Sequence, residues 1–432
     1  MIVDGRAKMR GRKREKAGRG RRAKMRRGTK MRRGTSSVFL VMILGSMITL
    51  VMAFVSAAMR VGAIGYIDGI ANLSGRSVLS EFDTHLKDDY GLFAFRGHRQ
   101  EIISKMTDYL AYTLDHNKYI DLTEVDANTA GYSLADVDIF EKEISDYTKY
   151  AVARGMMKDL VTEEDSRDED KIDTEEKGRT LRNHKIIDQL PSGAKAGDGS
   201  IIDAIKEMIS SGGGVLEKGS TNYLVTQYIM NTFKNAQKTN ERDTFFRNEA
   251  EYILEGEMSD ERNRKKVRAD IIKLRNAVNY VFIWADNKMR SELMAAAELL
   301  GAEVGAPVMA LLLAEIWALA EAENDMRILE HGKKVPLYKN SDTWAVDIQS
   351  IIDNEESGYI DTGSRTGLNY QGYLQLFLFV LERPLKLTRV MDLIQINIQG
   401  KYDRSFLIME HNMGFRVRAE ADGREYEYDQ KY

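Results

Sequence analysis

The sequence has 432 residues, with 63 Lys and Arg against 66 Asp and Glu, a formal net charge of −3, and no cysteine. A chain without cysteine forms no disulfide, carries out no thiol chemistry and has no cysteine-ligated metal site. The small net charge hides a division of the chain. Residues 1–33 hold 16 Lys or Arg and two acids, whereas the rest holds 47 basic and 64 acidic side chains. A cysteine-free exported domain favours a Gram-positive envelope over an oxidising compartment.

Residues 36–59, with the sequence SSVFLVMILGSMITLVMAFVSAAM, contain no charged side chain. As an α-helix that rises roughly 1.5 Å per residue, this stretch extends about 36 Å, which exceeds the roughly 30 Å hydrocarbon core of a bilayer. A helix satisfies every backbone N–H and C=O within the segment, as the membrane interior requires. The stretch therefore predicts one transmembrane signal-anchor helix.

The basic tail before this helix predicts its orientation, because Lys- and Arg-rich flanks stay on the cytoplasmic side. We place residues 1–35 in the cytoplasm and residues 60–432 outside, in a single-pass protein of the cell membrane. Anionic lipids are expected partners of the basic side chains nearest the helix. These are Arg26, Arg27, Lys30, Arg32 and Arg33. The tail has no interleaved aromatic residues and no folded binding module beside it, so no nucleic-acid partner is expected.

Three fates of the helix are compatible with the sequence. Retention fits its length, because the apolar core of a cleaved signal peptide usually has about 7–15 residues. Signal peptidase cleavage would follow Ala57, where Val55, Ser56 and Ala57 supply small residues. Prepilin-type cleavage would follow Gly34 at the end of the basic leader, although Phe39 occupies the position where type IV prepilins carry a glutamate. Retention is the expected fate.

The sequence after the anchor predicts an α+β fold, in which a mainly helical extracytoplasmic domain carries a small antiparallel sheet. Residues 60–161 predict an α+β module, with helix continuing to residue 88 and a strand over residues 90–95. Residues 162–200 are polar and acidic, which predicts a solvated linker. Its acids do not make an EF-hand, because the turn glycine that a calcium loop needs is missing. Those acids include Asp165, Asp168 and Asp170.

The remainder is predicted to be helical over residues 201–400 and β over residues 401–432. Residues 294–322 are apolar but include four glutamates, each of which costs about 2.5–3.5 kcal/mol near a bilayer centre. This stretch therefore predicts a core helix and not a second membrane span. Residues 406–410 are read as a strand, and Asp422-Gly423 as the turn of a hairpin that extends the sheet begun near residue 90.

The sequence contains no recognisable catalytic motif. Its six histidines are scattered, so the converging ligands of a zinc site are missing. No nucleophile elbow or phosphate-binding loop is present in the required residue order. Carboxylate pairs such as Glu249 with Glu251 and Glu255 with Glu257 arise by chance among 66 acids. We therefore expect no catalytic, cofactor-binding or metal-binding residues and no enzyme activity.

Several short phrases, spread in order over residues 34–432, carry a resemblance. They are Gly34-Thr-Ser-Ser-Val-Phe-Leu, Ser80-Glu-Phe, Asp89-Tyr-Gly-Leu-Phe, Glu251-Tyr-Ile-Leu with Gly256, Gly332-Lys-Lys-Val-Pro-Leu with Trp344, and Met391-Asp-Leu-Ile-Gln-Ile-Asn. The chain resembles an uncharacterised family of single-pass Gram-positive envelope proteins. That family is similar in layout to the TadE and TadG pseudopilin-like components of tight-adherence (Flp-type) pilus systems.

The resemblance implies a structural or assembly role in the envelope, with other pilin-like or assembly proteins as partners. Pilin-type subunits pack their N-terminal helices side by side, and small residues let helix backbones approach closely. The anchor has such a face, made of Gly45, Ser46, Thr49, Ala53, Ser56 and Ala57. The same residues are also common in any spanning helix. An anchored ligand-binding or sensor protein, an enzyme, and a protein secreted after cleavage at Ala57 are the alternative functions.

Overall fold

The computed structural model describes residues 33–114, 120, 122–157, 171–174, 178–195, 201–210, 220–238, 242–301, 305–353, 358–421 and 423–432. The chain divides into two compact units, Met1–Tyr66 and Ile67–Tyr432. We refer to the second unit as the body. The fold is α+β, as predicted: it is mostly helical, with one long apolar N-terminal helix and a small antiparallel sheet.

Helix α1 (Arg33–Leu79) contains all of the predicted anchor and continues beyond it. The predicted continuation to residue 88 is interrupted, because α1 ends at Leu79 and α2 (Thr84–Tyr90) begins from a new N-cap. The Asp83 carboxylate accepts hydrogen bonds from the backbone N–H groups of His85 and Leu86, at 2.8 and 3.1 Å. Helix α2 ends at Gly91, whose φ of 71° is the left-handed conformation that favours glycine.

The N-terminal part of the body continues with β1 (Phe95–Arg96), α3 (Arg99–Leu114), β2 (Leu122–Asn128) and α4 (Val137–Ala153). The predicted strand over residues 90–95 is wrong, because strand structure is confined to Phe95–Arg96. Residues 91–94 form the loop between α2 and β1. The Ala94 carbonyl in this loop accepts the Asp83 N–H.

The C-terminal strands join this part of the body. They are β3 (His411–Asn412), β4 (Gly414–Ala421) and β5 (Arg424–Lys431). The antiparallel sheet has the order β2–β4–β5, and β1 pairs with β3. The predicted strand over residues 406–410 is wrong, because Ile408–Glu410 form a 3₁₀ turn ahead of β3. The hairpin turn includes Gly423 at a φ of 70°, while Asp422 lies outside the described residues.

The rest of the body is helical. Its helices are α5 (His184–Ile187), α6 (Ile201–Ser210), α7 (Thr221–Thr232), α8 (Glu249–Glu255), α9 (Asp260–Ala285), α10 (Asn287–Leu300), α11 (Ala306–Glu330), α12 (Ile348–Ile352), α13 (Tyr370–Val380) and α14 (Arg383–Lys401). Helix α14 lies inside the largest apolar core, where even Arg389, Asp392 and Gln395 are fully buried. Polar and charged side chains buried in this way need hydrogen-bond or ion-pair partners within the protein.

Helices α9 and α11 pack antiparallel and carry a second apolar core with α10 and α12. On the surface, Arg268 pairs with Glu323 at 3.0 Å and the Asn276 amide donates to Glu315 at 2.8 Å, which sets the register of the two helices. Helix α11 turns its inner face, including Trp317, to this core. The predicted core helix over residues 294–322 is divided between two helices, because residues 294–300 belong to α10 and α11 begins at Ala306.

The described parts of the predicted 162–200 linker are packed against the body. Ile172 is buried and its N–H donates to the Glu330 carbonyl, while Leu181 is buried and its N–H donates to the Met258 carbonyl. These stretches are therefore part of the packed body and are not solvated chain. The acids Asp165, Asp168 and Asp170, like the predicted linker ends at residues 162 and 200, lie outside the described residues.

Candidate functional site: the anchor helix and the buried carboxylates of the body

The apolar segment of α1 is exposed along its whole length. Every side chain from residue 36 to residue 59 is exposed, and the most apolar window of the helix, with a mean hydropathy of 2.7, has none of its residues buried. In the described part of the chain, α1 is the one helix long and apolar enough to cross a membrane. This property is compatible with a membrane anchor near the N-terminus.

The six small residues of the predicted packing face lie on one side of α1. At about 100° per residue they fall within an arc of about 120°. They are Gly45, Ser46, Thr49, Ala53, Ser56 and Ala57. A Cβ added to Gly45 would meet no atom within 4 Å, so this side of the helix is open. The Ser46 and Thr49 hydroxyls donate to backbone carbonyls one turn earlier, which leaves the face free of unpaired donors at those two positions.

The remaining predicted residues are the basic side chains expected to contact lipid and the two candidate processing positions. Arg26, Arg27, Lys30 and Arg32 lie outside the described residues, and Arg33 is the first residue of α1. The two processing positions, Gly34 and Ala57, are both helical, and α1 continues past Ala57 without a break to Leu79. Lipid contact and processing therefore stay predictions.

Inside the body, two carboxylates on α8 hold a loop by its backbone. Glu249 accepts the N–H of Lys234 at 2.9 Å, and Glu251 accepts the N–H of Ala236 at 2.9 Å. Both glutamates are completely buried. Each also has a side-chain donor from a distant helix: the Asn397 amide at 2.7 Å for Glu249, and the Tyr370 hydroxyl at 2.9 Å for Glu251.

Burial of these carboxylates changes their acidity. Loss of water raises the pKa of Glu251 to about 7, although its hydrogen-bond donors act in the opposite direction. Burial likewise raises the pKa of Glu249 above its ordinary value. One Glu251 oxygen, Oε2, is buried and has no hydrogen-bond partner among the described residues. A neutral carboxyl is the form that such a position favours.

A third carboxylate, Asp260, holds two separate loops. Its oxygens accept the backbone N–H groups of Arg179, Arg247 and Asn248 at 2.7–3.2 Å. Gly178 passes so close that a Cβ there would lie 2.1 Å from the Asp260 Cβ. Glycine is therefore required at position 178 for this backbone to approach the carboxylate.

A buried ion cluster fixes the loop after α11 to α9 and α11. Arg275 donates to Asp325 at 2.9 Å and to the carbonyls of Pro336 and Leu337. Lys339 pairs with Asp325 at 2.5 Å and with Glu321. The two cations and two anions balance in charge, and all four side chains are almost completely buried. Glu321 also accepts the N–H groups of Ala345 and Val346, so the cluster fixes the loop backbone in addition to pairing charges.

These carboxylates were not recognised from the sequence as a structural feature. The pairs Glu249 with Glu251 and Glu255 with Glu257 were attributed to chance, yet the first three of these residues are buried and Glu257 pairs with Lys266 at 2.8 Å near the surface. The sequence feature that indicates their burial is their position beside the apolar residues 252–254. Among the residues that the structure describes, no three or more His, Asp or Glu side chains are arranged to hold a metal ion.

A model of a known protein family matches residues 143–423, about two thirds of the sequence. The chain belongs to the family of unknown function DUF5702. The DUF5702 match runs from α4 to the hairpin between β4 and β5, so it includes the buried carboxylates and ion cluster, whereas α1 precedes it. No curated protein and no solved structure matches the chain.

The raised pKa of Glu251 predicts a specific pH dependence of stability. The folded state holds this proton more tightly than the unfolded state, so the contribution of Glu251 is most favourable below about pH 4 and is lost as the pH rises through about 7. In Glu251→Gln this loss disappears. The free energy of unfolding of the variant, relative to wild type, should therefore be higher at pH 8 than at pH 5 by roughly 2–3 kcal/mol.

Denaturant unfolding of the full chain in detergent at both pH values measures this difference. Glu257→Gln is the matched control, because the Lys266 ammonium lowers the pKa of Glu257 and its removal should give no gain at pH 8. An identical effect of Glu251→Gln at pH 5 and pH 8 would show that burial does not perturb this carboxyl.

The small-residue face of α1 predicts helix association in the membrane. Gly45→Leu, Ser46→Leu and Thr49→Leu together should keep two helix backbones apart and so weaken their association. Co-purification of two differently tagged copies from native membranes should fall accordingly. The control is Met47→Leu, Val51→Leu and Val55→Leu on the opposite side of the helix. Equal co-purification of both triple variants would contradict the predicted role of this face in helix packing.

Proposed function

We propose that the chain is a single-pass, membrane-anchored structural or assembly protein whose body lies outside the cytoplasm. Within that class we propose a TadE/TadG-like minor pseudopilin or accessory component of a tight-adherence-type pilus or secretion system. The observation that carries the proposal is the uncharged segment of α1, exposed at every position, directly after a strongly basic tail.

The energetics of that segment support an anchor. Its exposed large side chains are Val38, Phe39, Leu40, Val41, Met42, Ile43, Leu44, Met47, Ile48, Leu50, Val51, Met52, Phe54, Val55 and Met59. Burial of each such side chain is worth about 1.5–3 kcal/mol, so leaving the set in water costs on the order of tens of kcal/mol. The hydrocarbon core of a bilayer removes that cost, and the helix length matches its thickness.

The charge division of the chain supports the orientation. The 16 basic side chains of residues 1–33 favour retention of the tail in the cytoplasm, whereas the acidic remainder has no such bias. The same tail is suited to anionic lipids of the inner leaflet. We therefore propose that the helix crosses once, with its N-terminus inside.

A structural role is supported by how the body uses its polar residues. Glu249, Glu251 and Asp260 accept backbone N–H groups, and Glu321 does the same for a loop after α11. These carboxylates are buried, so they hold loops in place and do not face solvent. The pilus assignment is supported by the resemblance of residues 34–432 and by the small-residue face of α1.

Cysteine labelling tests the orientation without background, because the natural chain has no cysteine. Lys30→Cys should be protected from a membrane-impermeant maleimide on intact protoplasts and become labelled after permeabilisation. Tyr112→Cys, at an 85% exposed position on α3, should be labelled in both conditions.

The reverse labelling pattern would contradict the proposed orientation. Recovery of the Tyr112→Cys chain in the culture medium, with a new N-terminus after Ala57, would instead identify a secreted protein.

A further inference from the structure

The outer face of α11 is apolar although it is exposed. Its five aliphatic side chains are 44–54% exposed, and one acid lies among them. We call this set the outer strip of α11: Val308, Leu311, Leu312, Glu315, Ile316 and Leu319. At about half exposure each, the five aliphatic residues present on the order of 500 Å² of apolar surface, which is near the upper end for the largest patch on a monomer.

The area of the outer strip fits a second strip of the same kind. Two such surfaces facing each other would bury on the order of 1,000 Å² in total, which reaches the lower limit for a specific protein interface. A lipid surface is a poorer occupant, because Glu315 lies in the middle of the strip and a carboxylate is costly in hydrocarbon.

The residue pattern of the outer strip is symmetric about the point between Leu313 and Ala314. Consequently, two antiparallel copies of α11 would place equivalent positions in reciprocal contact, as a twofold interface requires. The pairs would be Val308 with Leu319, Leu311 with Ile316, and Leu312 with Glu315 of the second copy.

Glu315 favours this direction of pairing over the parallel one. Parallel helices in register would bring the two Glu315 carboxylates directly opposite each other, and like charges in that position are destabilising. Antiparallel helices place each Glu315 opposite Leu312 of the other copy. The carboxylate also accepts the Asn276 amide of its own chain at 2.8 Å, so it has a hydrogen-bond partner of its own when it lies opposite Leu312 of the second copy.

We propose that two copies of the chain associate through the outer strip of α11, with the two helices antiparallel about a twofold axis. This interface lies in the body and goes beyond the proposed function, because it requires neither a given orientation of the anchor nor a pilus partner.

Disulfide formation in native membranes tests the pairing. One tagged copy carries Val308→Cys and a differently tagged copy carries Leu319→Cys, in a chain with no other cysteine. The proposal predicts a disulfide between the two different positions. It predicts little disulfide between two Val308→Cys copies, because antiparallel pairing separates those positions by about 16 Å along the axis. Ser291→Cys, an exposed position on α10, gives the background.

Two charge substitutions at Leu312 test whether this position contacts Glu315 of the second copy. Leu312→Lys and Leu312→Glu both remove the same aliphatic side chain, but lysine would face Glu315 of the second copy as an opposite charge. We expect Leu312→Lys to retain the disulfide and make it salt-dependent. Leu312→Glu should reduce the yield by at least about tenfold, because it opposes two carboxylates.

Several results would overturn the proposal. These are a Val308–Leu319 yield no higher than the Ser291 background, a predominance of same-position disulfides, equal losses from Leu312→Lys and Leu312→Glu, or cross-links of these positions to a different protein.

Discussion

Between residues 36 and 59 the chain has no charged residue, and the side chains are exposed at every position, which is compatible with a membrane anchor. The hydroxyls of Ser46 and Thr49 in that segment donate to carbonyls of the same helix. The proposed anchor, its proposed orientation and the proposed envelope role all depend on this apolar surface. The charge division of the chain bears on that proposal because a membrane around this segment would separate the basic tail from the acidic remainder.

The body meets a different constraint, because it contains no cysteine and its long connections cannot be held by disulfides. Buried carboxylates perform that task, since Glu249, Glu251, Asp260 and Glu321 accept backbone N–H groups from loops. Hydrogen bonds to a charged group contribute about 1.5–3 kcal/mol each, whereas a buried carboxylate without them is strongly destabilising. The balanced cluster of Arg275, Asp325, Lys339 and Glu321 follows the same rule.

Much of the fold could be predicted from local pattern. The uncharged run predicted α1, and the Asp-Gly pair between two alternating stretches predicted the last hairpin. The wrong strands, over residues 90–95 and 406–410, are short apolar runs in which periodicity cannot distinguish a strand from a loop or a 3₁₀ turn. Local caps decided the first of them, because Asp83 and Gly91 cap a helix that ends at Tyr90, the first residue of the run.

The anchor face could be located from the sequence because it depends on helical spacing alone. The roles of the buried acids could not, because their partners are far away in the chain: Asn397 lies 148 residues from Glu249, and Tyr370 lies 119 residues from Glu251. The outer strip of α11 shows the same limit. Its residues fit a core helix by composition, and only the packing of α9 and α10 determines which of them stay exposed.

Alkaline carbonate extraction of native membranes tests the central claim, that the apolar segment of α1 lies in lipid. The full chain should remain in the membrane pellet, as an integral protein does. A variant with Met47→Arg and Val51→Arg, each costing roughly 2.5–3.5 kcal/mol near a bilayer centre, should appear largely in the soluble fraction. Release of the wild-type chain by carbonate would contradict the account.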